Sequence, residues 1–267
     1  MSVAFNPKLL DENINISKQP PLKEFFKLLI GIAIAITAVY VLLGFIVDIT
    51  VPLVPVSIEN KIGSLFTASL KKKTSLGEER HVQSILDTLL SDLENNTFDI
   101  TISVARSPMV NAVALPGGHI IIFEGLLKEI KSDRELAFVI GHEIGHFVNR
   151  DHLKGLGRGL SLAFIALILG NDNRLSDAIL SPLNLTGRRF SQKQESRADA
   201  VGLELLYKAY GTTEGSVSFF RMLEKENKIS DFAYFFSSHP SPKKRIANLE
   251  TLIKNKYSRK APQCPFP

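Results

Sequence analysis

The chain has 267 residues, enough for one domain with extensions or two small ones. With 45% hydrophobic residues it can fill a packed core, and a formal charge of +5 without a basic, aromatic-interleaved patch excludes a nucleic-acid partner. Cys264 is the single cysteine, which excludes an intrachain disulfide and a thiolate metal site.

Residues 1–27 carry Lys8, Lys18, Lys23 and Lys27, and residues 28–47 then run without a charge. A helix of that length spans roughly 30 Å, the thickness of a bilayer's hydrocarbon core, so 28–47 reads as a transmembrane anchor in contact with lipid. The apolar run is too long for a signal peptide, and no small-x-small cleavage site precedes Asp48 and Pro52. Only Lys61 balances the four lysines in a comparable window after the span. The positive-inside rule therefore places 1–27 in the cytoplasm and the remainder across the membrane. Residues 48–75, with Pro52 and Pro55 early and the Lys71, Lys72, Lys73 cluster late, read as a connector.

A compact domain is expected over 76–256. Val82, Ile85, Leu86, Leu89, Leu90 and Leu93 recur at helical spacing and predict an amphipathic helix over 77–93. Phe98, Ile100, Ile102 and Val104 alternate with polar residues as in a half-buried strand. Residues 111–115 are a second extended piece, ended by the turn Pro116-Gly117-Gly118, and 119–123 a further strand. The expectation is a small sheet of two to four strands. Ser132-Asp133-Arg134-Glu135 then fits a capping box, opening a helix whose apolar face is Leu136, Val139, Ile140, Ile144 and Phe147.

That helix carries His142-Glu143-Ile144-Gly145-His146. Two histidines four apart stand one turn apart on one face, so both imidazoles can grip one metal ion, and Glu143 can reach a water on it. Three ionisable groups on a largely apolar helix are otherwise costly to bury. Zinc suits two neutral nitrogens, a third protein ligand and an open position. His152, beyond the motif, reads as a surface residue or a support for a ligand. Residues 160–169 are apolar except for Ser161, too few to cross a bilayer. A core-packing helix is the first reading; a lid or a surface dipping into the membrane are the alternatives. Residues 179–185 add apolar length, and Gly155, Gly157 and Gly159 would permit a hinge.

A further helix is expected over 191–210, with Glu195 and Asp199 four apart on one face. One carboxylate can complete the metal shell and the other can bond the outer nitrogen of a ligating histidine. With Lys193, Arg197 and Glu204 nearby, a solvated face is the alternative. The tail, 257–267, with three prolines and Cys264, reads as loose.

Four segments stand in order over about 75–255: Asn111-Ala-Val-Ala-Leu-Pro-Gly-Gly-His119, the His142–His146 motif, Glu195-Ser-Arg-Ala-Asp199, and His239-Pro-Ser-Pro-Lys-Lys-Arg245. Together they resemble the HtpX and CAAX-prenyl-protease family of zinc endopeptidases, metallopeptidase family forty-eight, of gluzincin type. The resemblance implies an α+β, mostly helical, zincin-like domain with a small mixed sheet and two metal-bearing helices, preceded by one transmembrane helix. It implies one Zn(2+) per chain on His142, His146 and Glu195, with Glu143 as the base and Asp199 supporting a ligand. It also implies that Asn111, Ala112, Val113 and Ala114 form an exposed edge along which a polypeptide substrate lies. The similar subtype is the singly anchored bacterial one, which implies the bacterial inner membrane, a domain facing the periplasm, and removal of misfolded envelope proteins. The substrates of the multi-spanning members do not carry over.

The expected chemistry is that zinc lowers the pKa of its water and polarises the scissile carbonyl, while Glu143 moves the proton to the departing amine. His239 and Arg245 are the candidate donors to the oxyanion, and His239 could instead fill the open metal position in a resting form. An extended substrate added as a strand predicts weak sequence specificity. The rivals are a chaperone-like binding module with a structural zinc, which has no use for Glu143, and an aminopeptidase, which needs an acidic cluster beyond Glu195 and Asp199.

Overall fold

The computed structural model describes residues 21–70, 78–91, 99–168, 190–225, 239 and 242–257. The lysine cluster 71–73, Leu93, Phe98, the apolar stretch 179–185, Pro240 and the tail with Cys264 lie outside the described residues.

Helix α1 (Pro21–Thr50) contains the whole expected span. Its mean hydropathy reaches 2.7 and none of that window is buried, so it is long and apolar enough to cross a membrane. The segment expected as a connector is instead structured. A 3₁₀ turn at Val51–Leu53 leads into helix α2 (Val56–Leu70), and Glu59 and Phe66 of α2 are buried. Pro52 and Pro55 act here as helix starters, because the first turn of a helix has no partner for an N–H that proline lacks.

Helix α3 (Glu79–Leu90) buries Val82, Ile85, Leu86 and Leu89, as the spacing predicts. Strands β1 (Thr101–Ala105), β2 (Ala112–Leu115) and β3 (His119–Phe123) form one mixed sheet in the order β1-β3-β2. β3 runs parallel to β1 (Val104↔Ile122) and antiparallel to β2 (Ala114↔Ile120). Gly117 and Gly118, at φ 80 and 79, make the reversal between β2 and β3. Helix α4 (Glu124–Glu129) precedes the metal-motif helix α5 (Asp133–Val148), followed by α6 (Asp151–Ile168), α7 (Gln192–Tyr210), α8 (Ser218–Lys225) and α9 (Pro242–Leu252).

The sheet is covered on both sides. Val104, Ala112, Ala114, Ile120 and Ile122 join the core formed with α3, α5 and α7. Ala105, Val113, Leu115, Ile121 and Phe123 pack instead with Phe66 of α2 and Leu156 of α6. α2 presses close enough that a Cβ on Gly63 would lie 2.3 Å from the Pro116 carbonyl oxygen.

The apolar part of α6, expected as a core helix, lies against α1 instead. A Cβ on Gly157 would come within 2.8 Å of the Val47 side chain, and Arg158 pairs with both oxygens of Asp48 at 3.0 Å. The glycines read as a hinge are interior to α6, and Gly157 is where two helices touch.

Two helix starts support the site. Ser132 accepts from the Glu135 N–H at α5, while the Glu135 carboxylate reaches the Lys131 N–H, one residue before the expected partner. At α7, Ser191 and Gln194 form a reciprocal capping box. α5 and α7 then cross with their backbones in contact. A Cβ on Gly145 would sit 2.7 Å from Cα of Ala198, and one on Gly202 2.9 Å from the His142 nitrogen. Because the obstructing atoms are backbone, Gly145→Ala should destabilise the domain by about 1–3 kcal/mol, read as a lowered urea midpoint at unchanged slope.

Candidate metal centre

α5 contributes His142 and His146, α7 contributes Glu195, and His239 precedes α9. One donor atom from each lies within 4.8 Å of all the others, and all four side chains are buried. His142 Nε2 is 3.0 Å from His146 Nε2 and 3.2 Å from His239 Nδ1. Glu195 Oε1 is 3.3 Å from His146 Nε2 and 3.1 Å from His239 Nδ1.

The outer nitrogens face carboxylates. His142 Nδ1 lies 2.9 Å from Asp199 Oδ1, and His146 Nδ1 lies 3.1 Å from Asp151 Oδ2. Burial alone would raise both acids. The Arg245 charge holds Asp199 below its usual range, and hydrogen bonds from His146 and Gln194 do the same for Asp151. An ionised carboxylate only accepts, so each Nδ1 carries the N–H and each Nε2 presents a lone pair. With both rings neutral, two such lone pairs 3.0 Å apart would repel unless a proton or a metal ion lay between them. Burial pushes His142 down to about 4, with the Arg245 charge adding to it. Burial also opposes charge on His146, but hydrogen bonds to Asp151 and Glu195 win and raise it to about 9. Three imidazoles and one carboxylate with oriented outer nitrogens therefore fit a divalent metal ion.

The spacing left open which carboxylate joins the donors; Glu195 does, and Asp199 stands behind His142. Glu143 is buried beside them. Its Oε2 accepts from the Ala114 N–H at 2.9 Å, while Oε1 has no hydrogen-bond partner among the described residues, His239 Nε2 standing 3.7 Å away. β2 is an edge strand, as expected, but all four of its residues are buried, because α2 and α5 flank it. Its outward N–H groups are taken by side chains: Ala112 donates to Asn111 Oδ1 at 2.9 Å and Ala114 to Glu143. Arg245 differs from the expected oxyanion donor. It is buried, donates to Asp199 from Nε at 2.9 Å, places Nη1 2.7 Å from Glu195 Oε2, and stacks 4.3 Å over Phe220 of α8. Its guanidinium is committed to two carboxylates.

Sequence reasoning missed Asp151 and Phe190. Asp151 turns back to His146 because Arg150, at φ 55, takes a left-handed conformation that nothing in its residue type announces. Phe190 stacks on His146 with centroids 3.9 Å apart, which no spacing rule foretells across that sequence distance. His152 is neither at the surface nor against a donor. It is buried, stacks on Phe147 and lies 2.9 Å from Glu59 of α2.

The sequence profile of Peptidase family M48 matches residues 77–253, more than half of the chain. The chain belongs to Peptidase family M48. It is 38% identical over 158 residues to "Mitochondrial metalloendopeptidase OMA1" of Arabidopsis thaliana, covering 58% of this chain and 31% of the relative. To the protein of that name in Schizosaccharomyces pombe it is 30% identical over 173 residues, 64% of this chain and 51% of the relative. To "Metalloprotease LoiP" of Escherichia coli (strain K12) it is 31% identical over 175 residues, 61% of this chain and 68% of that protein. The chain thus spans about a third to a half of the two OMA1 relatives.

An M48 site built this way should release a proton when it takes up metal. His146 holds a proton up to about 9, and a metal-bound imidazole cannot. As pH falls below that value the proton competes, so the apparent metal affinity should drop about tenfold per unit between pH 8 and 6, read by chelator competition. Asp151→Asn removes the carboxylate that supports the proton and orients the ring. It should weaken metal binding by about 10- to 100-fold and flatten that slope.

Proposed function

We propose that this chain is a membrane-anchored, zinc-dependent endopeptidase that cleaves extended or misfolded protein segments. The observation that carries it is Glu143, buried between the donor group and the β2 edge. One of its oxygens lies on the Ala114 N–H and the other has no hydrogen-bond partner among the described residues. His142, His146 and Glu195 would hold the metal, with Asp199 and Asp151 fixing the two imidazole tautomers. Zinc is the ion that a nitrogen-rich set with one carboxylate favours; when bound it lowers the pKa of a coordinated water and polarises a carbonyl.

Glu143 accepts the proton of the attacking water at Oε1 and passes it to the departing amine nitrogen. A substrate laid along the 111–114 edge, Asn111, Ala112, Val113 and Ala114, would pair with the outward backbone groups of Ala112 and Ala114, since Asn111 faces β3, and this supports extended substrates and weak sequence preference. That pairing takes the Ala114 N–H from Glu143 and frees the carboxylate as substrate arrives. Arg245 acts by position, holding Glu195 and Asp199. His239, as a fourth donor, would occupy with a metal bound the place that hydrolysis needs for water. The arrangement is then a resting one, and His239 becomes available to the oxyanion once it leaves. The lysines before the span support a cytoplasmic side for residues 1–27 and a peptidase domain on the other side of the membrane.

A closed set of four protein donors also favours a second reading, a binding module with a structural metal. The variants separate the two. Glu143→Gln should keep its metal and lose casein cleavage by about 100- to 10,000-fold. His239→Ala should raise basal cleavage at equal metal content. Absence of cleavage by wild type and His239→Ala alike would favour the binding module.

A further inference from the structure

We propose that α6 is a second membrane-inserted element, a helix that enters the bilayer beside α1, with lipid acyl chains covering the outer face of its described residues. This rests on the reading of α1 as a membrane span and deepens the endopeptidase proposal by naming its substrate class. The half-buried residues of α1 over its apolar length are Ile36, Tyr40, Leu43, Gly44 and Val47, one helical face, and among the described residues α6 packs along this helix. Contacts at Val47–Gly157 and Asp48–Arg158 start the pairing at the C-terminal end of α1.

Charge marks where water stops. On α1 no charged residue lies between Lys27 and Asp48, and on α6 none follows Arg158 as far as Ile168. The last charges of the two helices pair with each other at 3.0 Å, so both helices become uncharged on the same side of one plane. Beyond it Leu160, Leu162, Phe164, Leu167 and Ile168 are 39% to 67% exposed. Such a continuous apolar surface, adjoining one already apolar enough to span, is solvated by lipid at far less cost than by water. The polar group in this stretch, the Ser161 hydroxyl, donates to the Gly157 carbonyl at 2.9 Å, as a helix in hydrocarbon requires. Residues 159–168 reach roughly 15 Å, about half of the hydrocarbon thickness.

This insertion places the catalytic group. Asp151, which bonds His146, opens α6 and stands only seven residues before Arg158, roughly 10 Å along the axis. Arg150 ties the same turn to the 3₁₀ turn that follows α1, through the Val51 and Val54 carbonyls at 3.0 and 2.6 Å. The metal donors are therefore held at the bilayer surface, and the substrates within reach are polypeptide segments lying there, such as juxtamembrane stretches and loops of membrane proteins.

The test uses the full chain in a Cys264→Ser background. Single cysteines replace Leu162, Phe164 or, as a control, the exposed Ser84 of α3, each labelled with a polarity-sensitive dye in phosphatidylcholine–phosphatidylglycerol vesicles. The expected result is that dyes at 162 and 164 emit as in an apolar medium and are quenched by nitroxides on lipid acyl chains, not by aqueous iodide, with the reverse at 84. Iodide quenching at 162 and 164 overturns the proposal. So does shielding from both quenchers accompanied by energy transfer between labelled copies, which would mean a second chain covers this face. The readout needs no catalysis, so an inserted α6 without proteolysis would sink only the peptidase reading, and proteolysis with α6 in water only this one. Equal cleavage rates on an unfolded segment anchored to the vesicle and on the same segment free in solution would overturn the substrate class.

Discussion

Two helix backbones in contact make the metal centre possible. Histidine and glutamate side chains reach only a few ångströms, so donors on α5 and α7 converge only where those helices come much closer than ordinary side chains allow. Gly141 and Gly145 on one helix, and Ala198 and Gly202 on the other, remove the side chains that would hold them apart. The donors project from the positions next to these small residues: His142 follows Gly141, His146 follows Gly145, and Glu195 and Asp199 flank Ala198. Packing and chemistry therefore share one stretch of each helix, and neither can be altered without the other.

That proximity concentrates charge. Glu143, Glu195, Asp199 and Asp151 stand within one buried region, against the guanidinium of Arg245. Several buried acids around one base are expensive unless each is hydrogen-bonded and a further cation balances them. Arg245 serves two of the acids at once, and the imidazole N–H groups serve Asp199 and Asp151. The remaining imbalance is what gives a proton on His146, or a metal ion in its place, its hold. The same logic explains why Glu143 stands apart. Its half-satisfied carboxylate is poor design for stability and good design for moving a proton.

The rest of the fold anchors this centre to its surroundings. The turn from Asn149 to His152 touches three things in succession: Arg150 bonds the 3₁₀ turn just after α1, Asp151 bonds His146, and His152 bonds Glu59 of α2. The orientation of the anchor and that of a metal-site imidazole are thereby joined through one short turn. Glu59, whose pKa burial would raise, is held low by its hydrogen bond from His152.

Whatever depends on neighbours a few residues apart is legible in the amino-acid order alone. The one-turn spacing of His142 and His146, the cap at Ser132, the amphipathic period of α3 and the uncharged length of α1 are local properties, and they are legible because helix geometry repeats. Glu195 and Asp199 could be put on one face, but their division of labour could not be read from spacing, since it depends on which face of α7 meets α5. Arg245 was legible as a cation near the site and not as the clamp between two acids. α2 looked like a connector and α6 like core because burial depends on how many faces of the sheet are already covered. Only the tertiary structure decided those points, because the energy of burying a side chain belongs to the surface it meets, and that surface is assembled from residues far away in the chain.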